Sequence, residues 1–303
     1  MKYTVEVLAL GQNKKLCITE AQFVEIRDSK RNLSELLRLA ECYGVLLRSY
    51  RAIEKVKHDK ELDHVLYSSF GYDEILRVRM DLSAALIGYL ASARLFLDSS
   101  PKLLKKLGRE DLKQRFQELS STIYDSSADY RFIEALRNYV QHRGLPIHGL
   151  VYHNFLEESK LENSDLVSAL TISASKDELI SDDKFKSSAL VDMPDSINLI
   201  ACARGHMEGL WGLYDFINKQ TNEIGVKSRE TIRILRDQFV RETGETPLGL
   251  HALALDDADH ISEEIPMLLD WDDSRLNILK TFGSLKRLPK RYITGKIQKA
   301  KQK

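Results

Sequence analysis

The stretch that decides the fold runs from Asp129 to Arg143, reads DYRFIEALRNYVQHR, and is followed by Gly144 and Pro146. Phe132, Ile133, Leu136, Tyr139 and Val140 recur at i, i+1, i+4, i+7 and i+8, which at ~100° per residue gathers them into an apolar arc roughly 120° wide. The pattern predicts a helix with one face in a core. Arg137, Asn138, Gln141 and His142 fall outside the arc, with Asn138 and His142 one turn apart on one side and Arg137 on the opposite shoulder. Chemically capable side chains therefore point away from the core. Gly144 is expected to end the helix in the left-handed conformation and Pro146 cannot continue it, so His142 and Arg143 sit at the carboxyl end, where cations are favoured.

Working outward, Leu33, Leu36, Leu37, Ala40, Tyr43, Leu47 and Tyr50 predict a long amphipathic helix from Asn32 to Val56. Ile75, Leu76, Met80, Leu82, Leu86, Leu90, Ala93, Phe96 and Leu97 predict a second from Tyr72 to Leu97. Ser99-Ser100-Pro101 is expected to open a third, shorter one before the stretch quoted above. Helical period returns from Ser196, and a separate last helix is expected from Ser228, as N-cap, to Thr243. The opening KYTVEVLALG alternates like a half-buried strand, and Gly11-Gln12-Asn13 should turn it into a hairpin. Short β-branched segments after His148 suggest an insertion with two to four strands, and GLHALALDD a further strand.

The fold class so read is mainly α: a helical bundle with a small β-containing insertion and an N-terminal hairpin. Its expected parts are a hairpin over 1–30, a bundle carrying the motif helix over 31–148, a β-rich insertion over 149–195, completing helices over 196–245, and an acidic segment with a basic tail over 246–303.

Forty-five basic and 45 acidic residues cancel, so charge does not mark the chain as a general nucleic-acid binder. Charges from Asp256 to Asp273 are all acidic and those from Arg275 to Lys303 all basic, which reads as an acidic loop and a solvated tail in preference to an RNA tether. No apolar run approaches the ~20 residues of a membrane span, and Glu6 interrupts the first short one, so the expectation is a cytoplasmic protein without export or membrane association. Cys17, Cys42 and Cys202 are widely spaced, against a disulfide framework or zinc site. His58, Asp59, Asp63 and His64 read as a solvated face ahead of metal ligands, Arg204 and His206 as structural residues in a core helix, and His148 and His153 as loop residues. Walker, dinucleotide-binding, HExxH and GxSxG patterns are absent, and no cofactor is expected.

Arg137 to His142, RNYVQH, resembles the Arg-polar-x-x-x-His signature of the HEPN superfamily, the higher eukaryote and prokaryote nucleotide-binding helical domains. The resemblance implies an up-and-down helical bundle and a metal-independent endoribonuclease of the toxin or anti-phage defence type. It assigns Arg137, Asn138 and His142 as catalytic residues, RNA such as tRNA as substrate, a homodimer as working unit, and an antitoxin or defence-system protein as partner. Toxin members can carry a Tyr two residues after the His; here that position is Gly144. The chemistry is coherent by itself, because a histidine moves protons near neutral pH and an arginine fork stabilises phosphorane charge. The alternative is a catalytically inactive module of the same kind that binds RNA, a nucleotide or a protein.

Overall fold

A computed structural model describes residues 1–8, 14–67, 71–156 and 166–293. The turn expected at Gly11–Asn13, part of the insertion (157–165) and the end of the basic tail (294–303) lie outside them. The described chain is mainly helical with two small antiparallel sheets. In order it forms β1 (Lys2–Val7), β2 (Lys15–Cys17), α1 (Glu20–Leu66), α2 (Tyr72–Lys106), α3 (Glu110–Ser126), α4 (Ala128–His142), β3 (Gly149–Leu156), β4 (Leu166–Ser175), α5 (Lys176–Ser181), β5 (Ser196–Asn198), α6 (Leu199–Thr243), β6 (Leu250–Leu255), β7 (Ile261–Pro266) and α7 (Asp270–Thr281).

Helix boundaries depart from the periodicity for identifiable reasons. α1 begins at Glu20 because Thr19 and Gln22 form a capping box: the Gln22 Oε1 accepts from the Thr19 N–H at 2.9 Å, and the Thr19 hydroxyl accepts from the Gln22 N–H at 3.2 Å. α2 does not stop at Leu97; Pro101 lies inside it, and the Ser100 hydroxyl donates to the Phe96 carbonyl at 2.8 Å. α6 passes through Ser228, which is buried inside the helix and caps nothing. α2 is also the one described helix long and apolar enough to cross a membrane, contrary to the reading of apolar runs, yet it spends Val78, Leu82, Leu86, Tyr89, Leu90 and Phe96 on buried packing.

The chain divides into two compact units. The first comprises residues 1–44, 96–117 and 215–283. Its sheet has the order β2-β1-β6-β7, with Val5 opposite Ala252 and Val7 opposite Leu250. Thus β1 pairs antiparallel with β2, as expected of a hairpin, and also gains a partner from the far end of the sequence. Val5, Val7, Phe23, Ile26, Leu33, Ile232, Phe239, Leu250 and Met267 share its core. The acidic segment is not a loop: it builds β7 and the start of α7, where Asp272 is fully buried and accepts from Arg275 Nε at 2.5 Å and Arg229 at 2.6 Å. A buried carboxylate held by two guanidiniums is an anchor of this unit.

The second unit comprises residues 45–95, 118–214 and 284–303 and contains α4. Its sheet has the order β3-β4-β5. The strands are part of the same compact unit as α4. The His58–His64 region, expected to be a solvated face, docks them instead: Glu61 Oε1 accepts from the Leu170 N–H at 2.8 Å, His64 stacks on Tyr152 with ring centroids 4.2 Å apart, and Asn154 lies 3.1 Å from the His64 ring nitrogen. His153 sits within β3 and not in a loop.

α4 packs against the amino-terminal half of α6 where glycines permit close approach. A Cβ at Gly209 would stand 2.8 Å from the Tyr130 ring and 2.9 Å from Ile123, and one at Gly205 would overlap the Asp129 carboxylate. Next to this contact lies a polar core. His206 is fully buried, with Nδ1 2.7 Å from the Tyr89 hydroxyl, Nε2 3.2 Å from Glu134, and its ring 4.5 Å from that of Tyr130. A proton on Nε2 satisfies both sides: Tyr89 donates to Nδ1, and Nε2 donates to the carboxylate. Arg204 is likewise satisfied, donating to both Glu54 oxygens at 2.6 and 2.8 Å while the Tyr50 hydroxyl donates to the same carboxylate at 2.5 Å.

Candidate active site at the end of α4

α4 is set by its two ends. The Ser127 hydroxyl caps it by accepting from the Tyr130 N–H at 3.2 Å, and the Arg143 N–H closes it on the Tyr139 carbonyl at 2.8 Å. Gly144 does not take the expected left-handed conformation. Its lack of a Cβ serves another purpose, because a Cβ there would stand 2.8 Å from the Tyr139 hydroxyl. Phe132, Ile133 and Leu136 are fully buried, whereas Tyr139 and Val140, at the far end of the same arc, are only half-buried.

The polar face is arranged in two parts. Asn138 and His142, both exposed, line a cavity of about 440 Å³ together with Tyr139, Arg143 and, from the segment after α5, Asp182, Lys184, Phe185 and Lys186. Arg137 is not part of this lining. Its guanidinium donates to the Asn138 side-chain oxygen at 2.6 Å and to Gln141 at 3.0 Å. Of the residues singled out in the sequence, Asn138 and His142 thus line one cavity, and Arg137 is hydrogen-bonded to Asn138 without lining it. Its bond to Asn138 still has a consequence: with the amide oxygen engaged, the amide's N–H donors are the free end.

The rest of the cavity comes from residues that the sequence pattern left unassigned. Phe185 is almost fully buried, with its ring 6.4 Å from Phe132 and 6.0 Å from Tyr139, so it pins the 182–186 segment to α4. The backbone is fixed as well, since Asp182 accepts from the Lys184 N–H at 3.0 Å through its side chain and from the Phe185 N–H at 3.0 Å through its carbonyl. Lys186 donates to the Tyr124 hydroxyl at 2.5 Å. Three cations and one carboxylate line the cavity, with Asp183 a further 3.9 Å from Arg143. Burial, reinforced by the Asp182 and Glu178 carboxylates, pushes the Tyr139 phenol above its ordinary pKa, so it remains a hydrogen-bond donor. The available signal was KFK at 184–186, an aromatic between two lysines.

Glu134, one turn before Asn138, ties this helix to the core. Burial would raise its pKa, but the hydrogen bond from His206, with the charges of Arg137 and Arg94, outweighs that and holds it below the usual carboxylate value. Among the described residues no cluster of His, Cys, Asp or Glu is arranged to hold a metal. Comparison with known proteins finds no matching family model, no matching curated protein and no matching solved structure.

Proposed function

We propose that the protein is an endoribonuclease of the HEPN kind, built on a helical bundle and cleaving RNA without a metal in a defence or toxin setting. The observation that carries this reading is the cavity at the end of α4, where an exposed imidazole and an amide with free N–H donors share a concave surface with Arg143, Lys184 and Lys186. His142 takes the proton of the 2′-hydroxyl as that oxygen attacks phosphorus, and the 5′-oxygen leaves with a proton from a second donor. Asn138 hydrogen-bonds a non-bridging phosphate oxygen. On one helix Arg137 and His142 are separated by ~140° of rotation, so in this reading the Arg137 that meets a phosphate at His142 belongs to a second copy of the chain, related by a two-fold axis.

Incubating the purified protein with total RNA and with tRNA in EDTA tests this directly. Cleavage by the parent that is lost in His142→Ala is the expected result, and activity from a species that native mass measurement shows to be monomeric would refute the composite site. The occupation of Arg137 by Asn138 and Gln141 favours a second reading, a binding module without turnover. RNA retention without cleavage by the parent would select it.

A further inference from the structure

We infer that Lys184, Lys186 and Arg143 form a binding subsite for the phosphate that flanks the cleaved bond of single-stranded RNA. The inference rests on the endoribonuclease reading, but its residues come from outside the Arg137–His142 motif. The Lys184 ammonium has no partner among the described residues. Arg143 lies 3.8 Å from Asp182 and 3.9 Å from Asp183, beyond hydrogen-bond reach, so its fork keeps donors for a ligand. Lys186 is held by Tyr124, whose ring also lies 4.9 Å beneath the ammonium. The backbone that carries both lysines is fixed by Asp182 and the buried Phe185, and Lys186 is held by Tyr124, so part of the ordering cost is met before any ligand arrives.

Two features select the ligand. A phosphodiester strand carries one charge per nucleotide, and these cations line the same cavity as His142, where a phosphate next to the one at His142 would meet them. A cavity of about 440 Å³ has room for one nucleotide lifted from its neighbours. The half-exposed ring of Tyr139 offers a face on which a base can stack.

The test uses the full chain and a fluorescent oligonucleotide blocked at the 2′-position so that it cannot be cut. In anisotropy titrations, Lys184→Gln with Lys186→Gln should weaken binding roughly ten-fold and reduce the log–log salt slope by about 0.7 for each phosphate that is no longer neutralised. Replacing the flanking phosphate by an uncharged methylphosphonate should weaken the parent by a similar factor and the double variant hardly further. An equal loss in both proteins, or unchanged affinity in the variant, would overturn the subsite. Because the ligand is never cleaved, the measurement stands apart from the question of catalysis. Failure of the parent to cut any RNA refutes the endoribonuclease alone, whereas cleavage with no loss of binding in the variant refutes the subsite alone.

Discussion

Replacing Glu134 by Ala should destabilise the second unit by about 2 kcal/mol. The figure follows from what is left behind: the His206 ring is fully buried, and its Nε2–H would lose its acceptor, a loss of about 1–3 kcal/mol for a buried unsatisfied group. The Glu134 side chain is itself 18% exposed, so water can enter partway and the upper end of that range is not reached. At about 2–4 °C per kcal/mol for a unit of 150–250 residues, the melting temperature should fall by about 4–8 °C in far-ultraviolet circular dichroism. Glu134→Gln keeps an acceptor oxygen and should lose about half as much. Tyr89→Phe frees the other ring nitrogen, and because the two changes share His206, their combined effect should depart from additivity by at least about 0.5 kcal/mol. A Glu134→Ala protein melting within about 1 °C of the parent, or a Gln variant as damaged as Ala, would refute this account of the polar core.

Acid should act through the same groups. Glu54 would be raised by burial but is held below its ordinary pKa by the Arg204 fork and the Tyr50 hydroxyl, and Glu134 is held down by His206. Their stabilisation is fully present above the unfolded carboxylate value of about 4.3 and is lost as pH falls through the lower folded values, so urea midpoints should be flat from about pH 5 to 7 and drop below about pH 4. Asp272→Ala strands the buried Arg275, while Arg229 keeps Asp273 at 2.6 Å, and should cost about 3–5 kcal/mol in urea unfolding, whereas the fully exposed Asp257→Ala should leave the midpoint nearly unchanged. Gly209→Ala should destabilise by about 1–3 kcal/mol, while Gly212→Ala, whose Cβ meets nothing within 4 Å, should stabilise by up to about 1 kcal/mol; equal melting temperatures would show that α4 and α6 do not approach closely.

The helices were legible because their apolar period is strong, as in Phe132, Ile133 and Leu136. Their ends were less so. Thr19-x-x-Gln22 is a local signal that periodicity passes over, and Ser228 looks like a cap until tertiary packing buries it. The pairing of β1 with β6 joins residues about 250 positions apart, and no local pattern encodes such a partner. Asn138 and His142 could be placed on one side from helical geometry alone. Lys184 and Lys186 could not, since their approach depends on Phe185 finding a slot beside Phe132 and Tyr139. Glu61 shows the converse error: a charged helix face looks solvated until a strand amide is found to need its carboxylate.

The glycine at 209 gives any relatives of this chain a recognisable fingerprint. A six-residue motif can drift without disturbing a backbone, but Tyr130 of α4 and Ile123 of α3 approach α6 at 209 because the residue there has no side chain. Any descendant that keeps this approach must keep glycine there, together with a ring at 130 and an acid–imidazole pair matching Glu134 and His206. Kinship should therefore be sought in the spacing Tyr-x-x-x-Glu followed by His-x-x-Gly, which reads the architecture, before it is sought in the residues that do the chemistry.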